Sequence, residues 1–255
     1  MPLNFAILQT DLVWENPHRN IAHFSELIKR LDDNISLVLL PETFSTGFTM
    51  NVGNIEDQEE IALSWMIETA AKYRITLGGS LIIKEASCYY NRFYWVKPDN
   101  TFEYYDKRHL FRMGREQDHF CPGNKRVVVE DQGIRFLLQV CYDIRFPVFS
   151  RNRNDYDVIV YVANFPSARK HAWTTLLQAR AIENQSYVLA VNRTGVDGEG
   201  VDNCGISCAI DMKGEYKARL DYKPGVLISS IDIEDIKQFR NKFPAHLDSD
   251  RFRLL

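Results

Sequence analysis

The chain has 255 residues, 45% of them hydrophobic, and a formal net charge of −3. That length suits one large α/β unit spanning residues 1–255, with a core big enough to need no staples. The near-balanced charge lacks the clustered Lys and Arg that nucleic acid or an anionic membrane surface calls for, and no apolar run approaches the roughly 18–20 residues of a membrane span.

The opening stretch MPLNFAILQTDLVWENP has no basic flank and no long apolar region, so LNFAILQ (3–9) reads as a buried first strand rather than a signal peptide. Asn16-Pro17 then reads as a helix cap with proline in the first turn, and Ile21, Phe24, Leu27, Ile28 and Leu31 follow at helical spacing. ISLVLLPE (35–42) is a second buried strand closed by Pro41, a helix is predicted over 57–74, and ITLGGSLIIKE (75–85) is a third strand. YYNRFYWVKPDNTFEYYDK (89–107) predicts a hairpin around Pro98-Asp99-Asn100, and the polar stretch 108–124 is a loop.

RVVVEDQGIRFLLQV (126–140) predicts two strands around Asp131-Gln132-Gly133, and DVIVYVANF (157–165) another buried strand. A helix near 171–184, the strand YVLAVN (187–192), a strand pair within 204–220 around Lys213-Gly214, the strand VLISSIDI (226–233) and a short helix over 234–243 complete the pattern. Strands alternating with helices at both ends, and hairpins between, argue for a single α/β domain whose sheets carry helices on an outer face.

The chain has five cysteines, Cys88, Cys121, Cys141, Cys204 and Cys208. An odd, scattered set does not read as a disulfide framework, which points to a soluble protein of the reducing cytoplasm. Cys204 and Cys208, four apart on one expected strand, would point the same way without metal-site spacing. The six histidines do not pair, and phosphate-loop, dinucleotide-binding, zinc-protease and serine-elbow motifs are absent, so no metal or other cofactor is expected.

What remains is a set of reactive residues placed where apolar runs end. Glu42 follows LVLLP, Lys107 follows TFEYYD and Cys141 follows IRFLLQV. Ligands of α/β sheets collect at the carboxyl ends of strands, where a side chain leaves the sheet yet stays largely desolvated. Each residue alone reads as ordinary: a free cysteine packs like a small hydrophobe, and Glu and Lys are mostly exposed. Their joint occurrence at strand ends is the signal.

The segments around these residues, LLPETFSTGF (39–48), YDKRHLF (105–111) and VCYDIRFPVFSR (140–151), resemble the signature segments of the nitrilase superfamily, the carbon–nitrogen hydrolases. The resemblance extends to GREQDHFCPG (114–123), to residues 164–195 and to the tail KFPAHLDSDRF (242–252), and these last two are most similar to the ω-amidase branch. It implies an α-β-β-α sandwich and a homodimer or higher homo-oligomer. It also implies hydrolysis of a small carboxylated amide such as 2-oxoglutaramate. Carried over residue by residue, it makes Cys141 the nucleophile, Glu42 the general base, Lys107 the stabilising cation, Glu116 a supporting carboxylate and the Tyr142 backbone N–H an oxyanion donor.

The chemistry asks for those types. A thiol is mostly protonated near its free pKa of about 8.5, and a nearby ammonium favours the thiolate. A carboxylate in reach can take the thiol proton and later protonate departing ammonia. Where many relatives have Glu after the RFP proline, this chain has Val148, which bears on the branch and not on the chemistry. Arg145 suits a carboxylate clamp, but its expected role is to tie the turn to a structural carboxylate. Arg169, Lys170 and Arg193 are further candidates for a substrate carboxylate. Phe44 and Phe165 are candidates for an apolar pocket wall, with core packing as the alternative. His109 and His171 are rival bases. Competing readings are another amidase or N-carbamoyl amidohydrolase of the superfamily, and a non-catalytic small-molecule binding protein.

Overall fold

The computed structural model describes residues 2–55, 59–250 and 252–253. Its frame is a pair of six-stranded sheets. The first contains β1 (Leu3–Gln9), β2 (Leu37–Leu39), β3 (Thr76–Glu85), β4 (Cys88–Val96), β5 (Phe102–Asp106) and, returning from the far end of the chain, β14 (Gly225–Ile231), in the order β14-β1-β2-β3-β4-β5. The second contains β6 (Val128–Asp131), β7 (Ile134–Val140), β8 (Val158–Ala163), β9 (Tyr187–Asn192), β12 (Cys208–Ile210) and β13 (Tyr216–Arg219), in the order β13-β12-β9-β8-β7-β6. In each sheet the central strands run parallel, β1 to β3 in one and β7 to β9 in the other, and antiparallel strands flank them. A short ribbon of β10 (Thr194–Val196) and β11 (Asp202–Cys204) stands apart.

The period of two along each strand builds the layers. Phe5, Ile7, Leu37 and Leu39 face Phe136, Leu138, Val158, Val160 and Val162 across the inter-sheet core. Their neighbours Ala6, Leu8, Val38 and Leu40 turn outward onto helices α1 (Pro17–Ile28) and α2 (Glu59–Tyr73). On the other side Leu137, Ile159, Tyr161 and Val188 turn onto Trp173, Leu177 and Ala181 of α4 (Lys170–Asn184). Because both faces are covered, these strands read as continuous apolar runs rather than as alternating ones. Each fully buried aliphatic or aromatic side chain contributes about 1.5–3 kcal/mol. The result is an α-β-β-α sandwich.

Helix α1 starts as expected: the Asn16 side chain accepts the Arg19 N–H at 3.1 Å and Pro17 opens the first turn. Helix α5 (Ile233–Lys242) also forms as expected. Residues 57 and 58 of the helix predicted over 57–74, and Arg251 of the tail segment, lie outside the described residues. The loop 108–124 contains 3-10 turns at Arg112–Gly114 and Glu116–Asp118, and the segment after β7 forms a 3-10 turn at Cys141–Arg145 followed by the short helix α3 (Pro147–Ser150).

Two expectations about cysteine are corrected. Cys204 ends β11 and Cys208 begins β12, so they lie on separate strands, both fully buried. Cys88 and Cys121 form a disulfide. Their separation of 33 residues carried no hint of proximity, but the Cys121 N–H donates to the Tyr89 carbonyl at 2.8 Å and lays the end of the 108–124 loop along the start of β4. Gly123 continues that contact: its N–H donates to the Lys107 carbonyl at 2.9 Å, and a Cβ there would collide with the Asp106 carbonyl oxygen. Among the described residues no helix is long and apolar enough to cross a membrane.

Closing a loop of 33 residues lowers the entropy of the unfolded chain by the equivalent of roughly 3–4 kcal/mol. Reduction with a phosphine should therefore lower the urea midpoint, and Cys88→Ser should show the lower midpoint with or without reductant. Identical midpoints for oxidised and reduced protein would refute a stabilising bridge.

Candidate active site

Beyond β2 the chain passes through Leu40 and Pro41 to Glu42, which is fully buried. Thr43 adopts a φ of +45°, a left-handed conformation that a threonine rarely takes. Ser80 on β3 holds this turn, its hydroxyl accepting the Thr43 N–H at 2.8 Å and its carbonyl the Phe44 N–H at 3.2 Å. The close approach needs Gly79, where a Cβ would lie 2.9 Å from that of Leu40.

Lys107 is the residue after β5, and its backbone N–H donates to the Asn91 carbonyl at 2.9 Å. Its ammonium lies 3.0 Å from Glu42 Oε1 and 3.0 Å from Glu116 Oε1, with all three side chains at most 1% exposed. Glu116 Oε2 accepts the Phe111 N–H at 2.5 Å. Glu42 is held further: Asn91 Nδ2 donates to Oε1 at 2.8 Å and the Asn164 N–H to Oε2 at 2.7 Å.

Cys141, directly after β7, has a φ of +45°, so the nucleophile candidate sits at a left-handed kink and the base candidate Glu42 directly before one, at Thr43. Its Sγ lies 3.9 Å from the Asn164 carbonyl oxygen. The turn is fastened by Asp143, which is fully buried. Its Oδ2 accepts the Val140 N–H at 2.9 Å and the Tyr105 hydroxyl at 2.8 Å, and its Oδ1 pairs with His109 Nδ1 at 2.7 Å. Because Tyr105 and His109 flank Lys107, Asp143 joins the Lys107 segment to the Cys141 turn.

Electrostatics follow from burial. Desolvation opposes the Lys107 ammonium, but Glu116 and Glu42 outweigh it and hold the lysine charged. Burial raises the Glu116 carboxyl, against the pull of Lys107 and with the push of Glu42. For Cys141, burial and then the charge of Glu42 push the thiol well above its ordinary range, and Lys107 only partly offsets them. The ammonium favours the thiolate as expected, but burial and Glu42 outweigh it.

A cavity of about 430 Å³ opens on Lys107, Cys141, Tyr142 and Asn164. Phe48, Phe111 and Phe165 supply apolar wall, and Arg145 and Arg169 supply positive charge. Phe165 was expected there and also packs on Trp173, with ring centroids 5.0 Å apart. Phe44 was expected there and does not line the cavity; it lies in the outer core, 5.6 Å from both the Phe24 and Trp65 rings, because its strand-end register turns it toward α1 and α2.

Arg145 also departs from expectation. It is exposed at the cavity with no carboxylate partner among the described residues, and Asp143 does the fastening instead. Arg169 lies over the Phe111 ring at 5.0 Å. Arg193 is excluded as a substrate clamp because it is fully buried and committed to Asp11 at 2.5 Å and to the Leu12 and Thr194 carbonyls. Lys170 lines a neighbouring groove, near Tyr222. His109 is spent on Asp143 and stacks on Phe146, and His171 is exposed on α4. Among the described residues no group of three or more His, Cys, Asp or Glu is placed to hold a metal ion.

Sequence reasoning missed Asn91, Asn164 and Asp143. Asn164 follows β8 as Cys141 follows β7, so the strand-end criterion could have found it. Asn91 lies inside β4, where nothing local marks it.

Residues 4–241 match the carbon-nitrogen hydrolase family. Over 256 residues the chain is 43% identical to the omega-amidase YafV of Yersinia enterocolitica, covering 99% of each. It is 30% identical to the 2-oxoglutaramate amidase of Bacillus subtilis, covering 97% of this chain and 98% of that one. Among solved structures, a CN-hydrolase superfamily protein of Xanthomonas campestris with an arsenic adduct in its active site superimposes with a TM-score of 0.97 at 39% identity, over 100% of both chains. An amidase of Nesterenkonia, 21% identical and covered to 99% with a TM-score of 0.85, shares the fold. Because the family match runs from β1 into α5 and takes in every segment that reaches the cavity, the chain belongs to the carbon–nitrogen hydrolase family, within the nitrilase superfamily.

Proposed function

We propose that the protein is an ω-amidase, hydrolysing the terminal amide of a short carboxylated substrate, 2-oxoglutaramate or a close relative, to the acid and ammonia. The observation that carries this reading is a buried ammonium bridged at 3.0 Å to each of two carboxylates, beside a thiol that opens on a cavity. The 43% and 30% identity to an omega-amidase and a 2-oxoglutaramate amidase supports the substrate class.

In this mechanism the substrate carbonyl lies against the Lys107 ammonium and the Tyr142 backbone N–H. Glu42 takes the Cys141 proton as sulfur attacks the amide carbon, and both donors stabilise the oxyanion. Glu42 then delivers the proton to nitrogen, the C–N bond breaks, and ammonia leaves a thioester. Water enters, gives a proton to Glu42 and attacks the thioester; collapse returns the proton to sulfur and releases the acid. Glu116 supports by holding Lys107. Arg145 and Arg169, which have no carboxylate partner among the described residues, receive the substrate carboxylate, and Phe165 packs on its carbon chain.

Cys141→Ala should fold and release no ammonia from 2-oxoglutaramate, and Cys141→Ser should be nearly inactive; a tenth of the parent rate in the alanine variant would end the covalent mechanism. Stoichiometric alkylation of one thiol by iodoacetamide, with parallel loss of ammonia release, separates this enzyme from a non-catalytic binding protein.

The pH dependence of that alkylation has a definite sign. Burial and then the charge of Glu42 raise the thiol, whereas Lys107 lowers it. The rate should therefore still be climbing at alkaline pH in the parent. Glu42→Gln should move the rise to lower pH and Lys107→Met to higher pH. Movement of either in the opposite direction contradicts the assignment.

Substrate selection tests the arginines. Removing the carboxylate, from succinamate to butyramide, should lower kcat/KM at least roughly tenfold, about 1.4 kcal/mol of transition-state binding. In Arg145→Gln/Arg169→Gln the two amides should become similar. Equal efficiency in the parent enzyme would return the substrate to another class of amide.

A further inference from the structure

Asn91 lies within β4, in a strand otherwise rich in aromatic residues. It is 1% exposed and does not line the cavity. Its Nδ2 donates to Glu42 Oε1 at 2.8 Å, the same oxygen that receives Lys107 Nζ at 3.0 Å. Its backbone carbonyl accepts the Lys107 N–H at 2.9 Å. One residue therefore touches two of the three charged members of the site, Glu42 and Lys107.

The other half of its amide is the informative part. Asn91 Oδ1 is buried and has no hydrogen-bond partner among the described residues. Buried polar atoms are normally paired, and an orphaned acceptor destabilises the fold. An amide kept for packing would use both ends, and an aliphatic side chain of the same shape would fill the space without an orphan. What Asn91 supplies that leucine cannot is one neutral donor aimed at one carboxylate oxygen.

We propose that Asn91 is a positioning residue for the general base, fixing the Glu42 carboxylate and reserving its Oε2 oxygen for the travelling proton. This rests on Glu42 being the base. Two donors occupy Oε1, so a proton there would meet N–H groups on both sides. Oε2 receives the Asn164 N–H at 2.7 Å and a longer contact from Asn164 Nδ2 at 3.4 Å, and it keeps acceptor capacity. It also lies on the Asn164 side, where the backbone carbonyl of the same residue is 3.9 Å from Cys141 Sγ. On this reading the proton leaving sulfur passes to Oε2. A neutral donor favours the ionised carboxylate without adding a second cation to compete with Lys107.

The test compares Asn91→Leu and Asn91→Ala with the parent and with Glu42→Gln, reading kcat, KM, the pH profile of kcat and the thermal midpoint. Asn91→Leu should fold, keep KM because the residue does not reach the cavity, and lose on the order of ten- to a hundredfold in kcat, the scale of one charge-assisted hydrogen bond. The acid limb of kcat should move up by roughly half to one pH unit, since the lost donor no longer favours the carboxylate. A packing role would not move that limb. The alanine variant decides should leucine not fold. Unchanged kcat and acid limb in a folded variant, or failure of both variants to fold, would overturn the proposal. If Glu42→Gln retained activity, the reading of Glu42 as base would fall instead; an inactive Glu42→Gln beside a parent-like Asn91→Leu would remove only the role of Asn91.

Discussion

Everything in the site depends on one buried ammonium held between two carboxylates. Lys107, Glu42 and Glu116 are each at most 1% exposed, and moving ions of that size out of water costs several kcal/mol apiece. Mutual attraction offsets this only when the remaining lone pairs and protons are also met. Here the Phe111 N–H meets Glu116, and the Asn91 amide and Asn164 N–H meet Glu42. Removing Lys107 would leave two buried carboxylates without their cation, and such losses run to about 3–5 kcal/mol. The triad is a demand on the fold as much as a product of it.

The sandwich meets that demand by geometry. Glu42 and Lys107 come from the ends of strands in the first sheet, Cys141 and Asn164 from the ends of strands in the second. They converge only because the sheets face one another across a shared core. The bond from the Asn164 N–H to Glu42 spans 122 positions in sequence, and the bond from Tyr105 to Asp143 spans 38. Asp143 is the second seam. It fastens the strained Cys141 turn to residues on either side of Lys107, so Cys141 and Lys107 are placed by one side chain that touches neither. Inter-sheet packing is therefore a condition of the chemistry.

How much of this was legible in the sequence follows from range. Local patterns were readable: the Asn16-Pro17 cap, the continuous apolar strands, and the placement of Glu42, Lys107 and Cys141 after such strands. The four layers came from the motif resemblance, since periodicity reports which residues are buried but not against what. Phe44 and Arg145 were misjudged because direction at a strand end depends on a kink of one residue, such as the +45° φ at Thr43 and Cys141. The Cys88–Cys121 bridge and the Asn91–Glu42 hydrogen bond were invisible because both are contacts between segments far apart in sequence. The net direction of the Cys141 thiol was not readable for a different reason: the Lys107 charge can be counted from sequence, but weighing it against desolvation and Glu42 requires the burial itself.

That thiol state bears on the hardest step of the proposed reaction. The tetrahedral intermediate can expel sulfur and return to substrate, or expel nitrogen and go forward. Thiols of low pKa leave faster, and their thiolates are weaker nucleophiles. A thiolate stabilised at rest by a dominant cation would attack poorly and return readily. At Cys141 burial and the charge of Glu42 act the other way, raising the thiol. In the proposed mechanism Glu42 takes that proton during attack and places it on nitrogen, converting an amide anion, which cannot leave, into ammonia, which can. A single carboxylate thus links activation of the nucleophile to activation of the leaving group, and the pKa that disfavours a free thiolate also favours forward collapse.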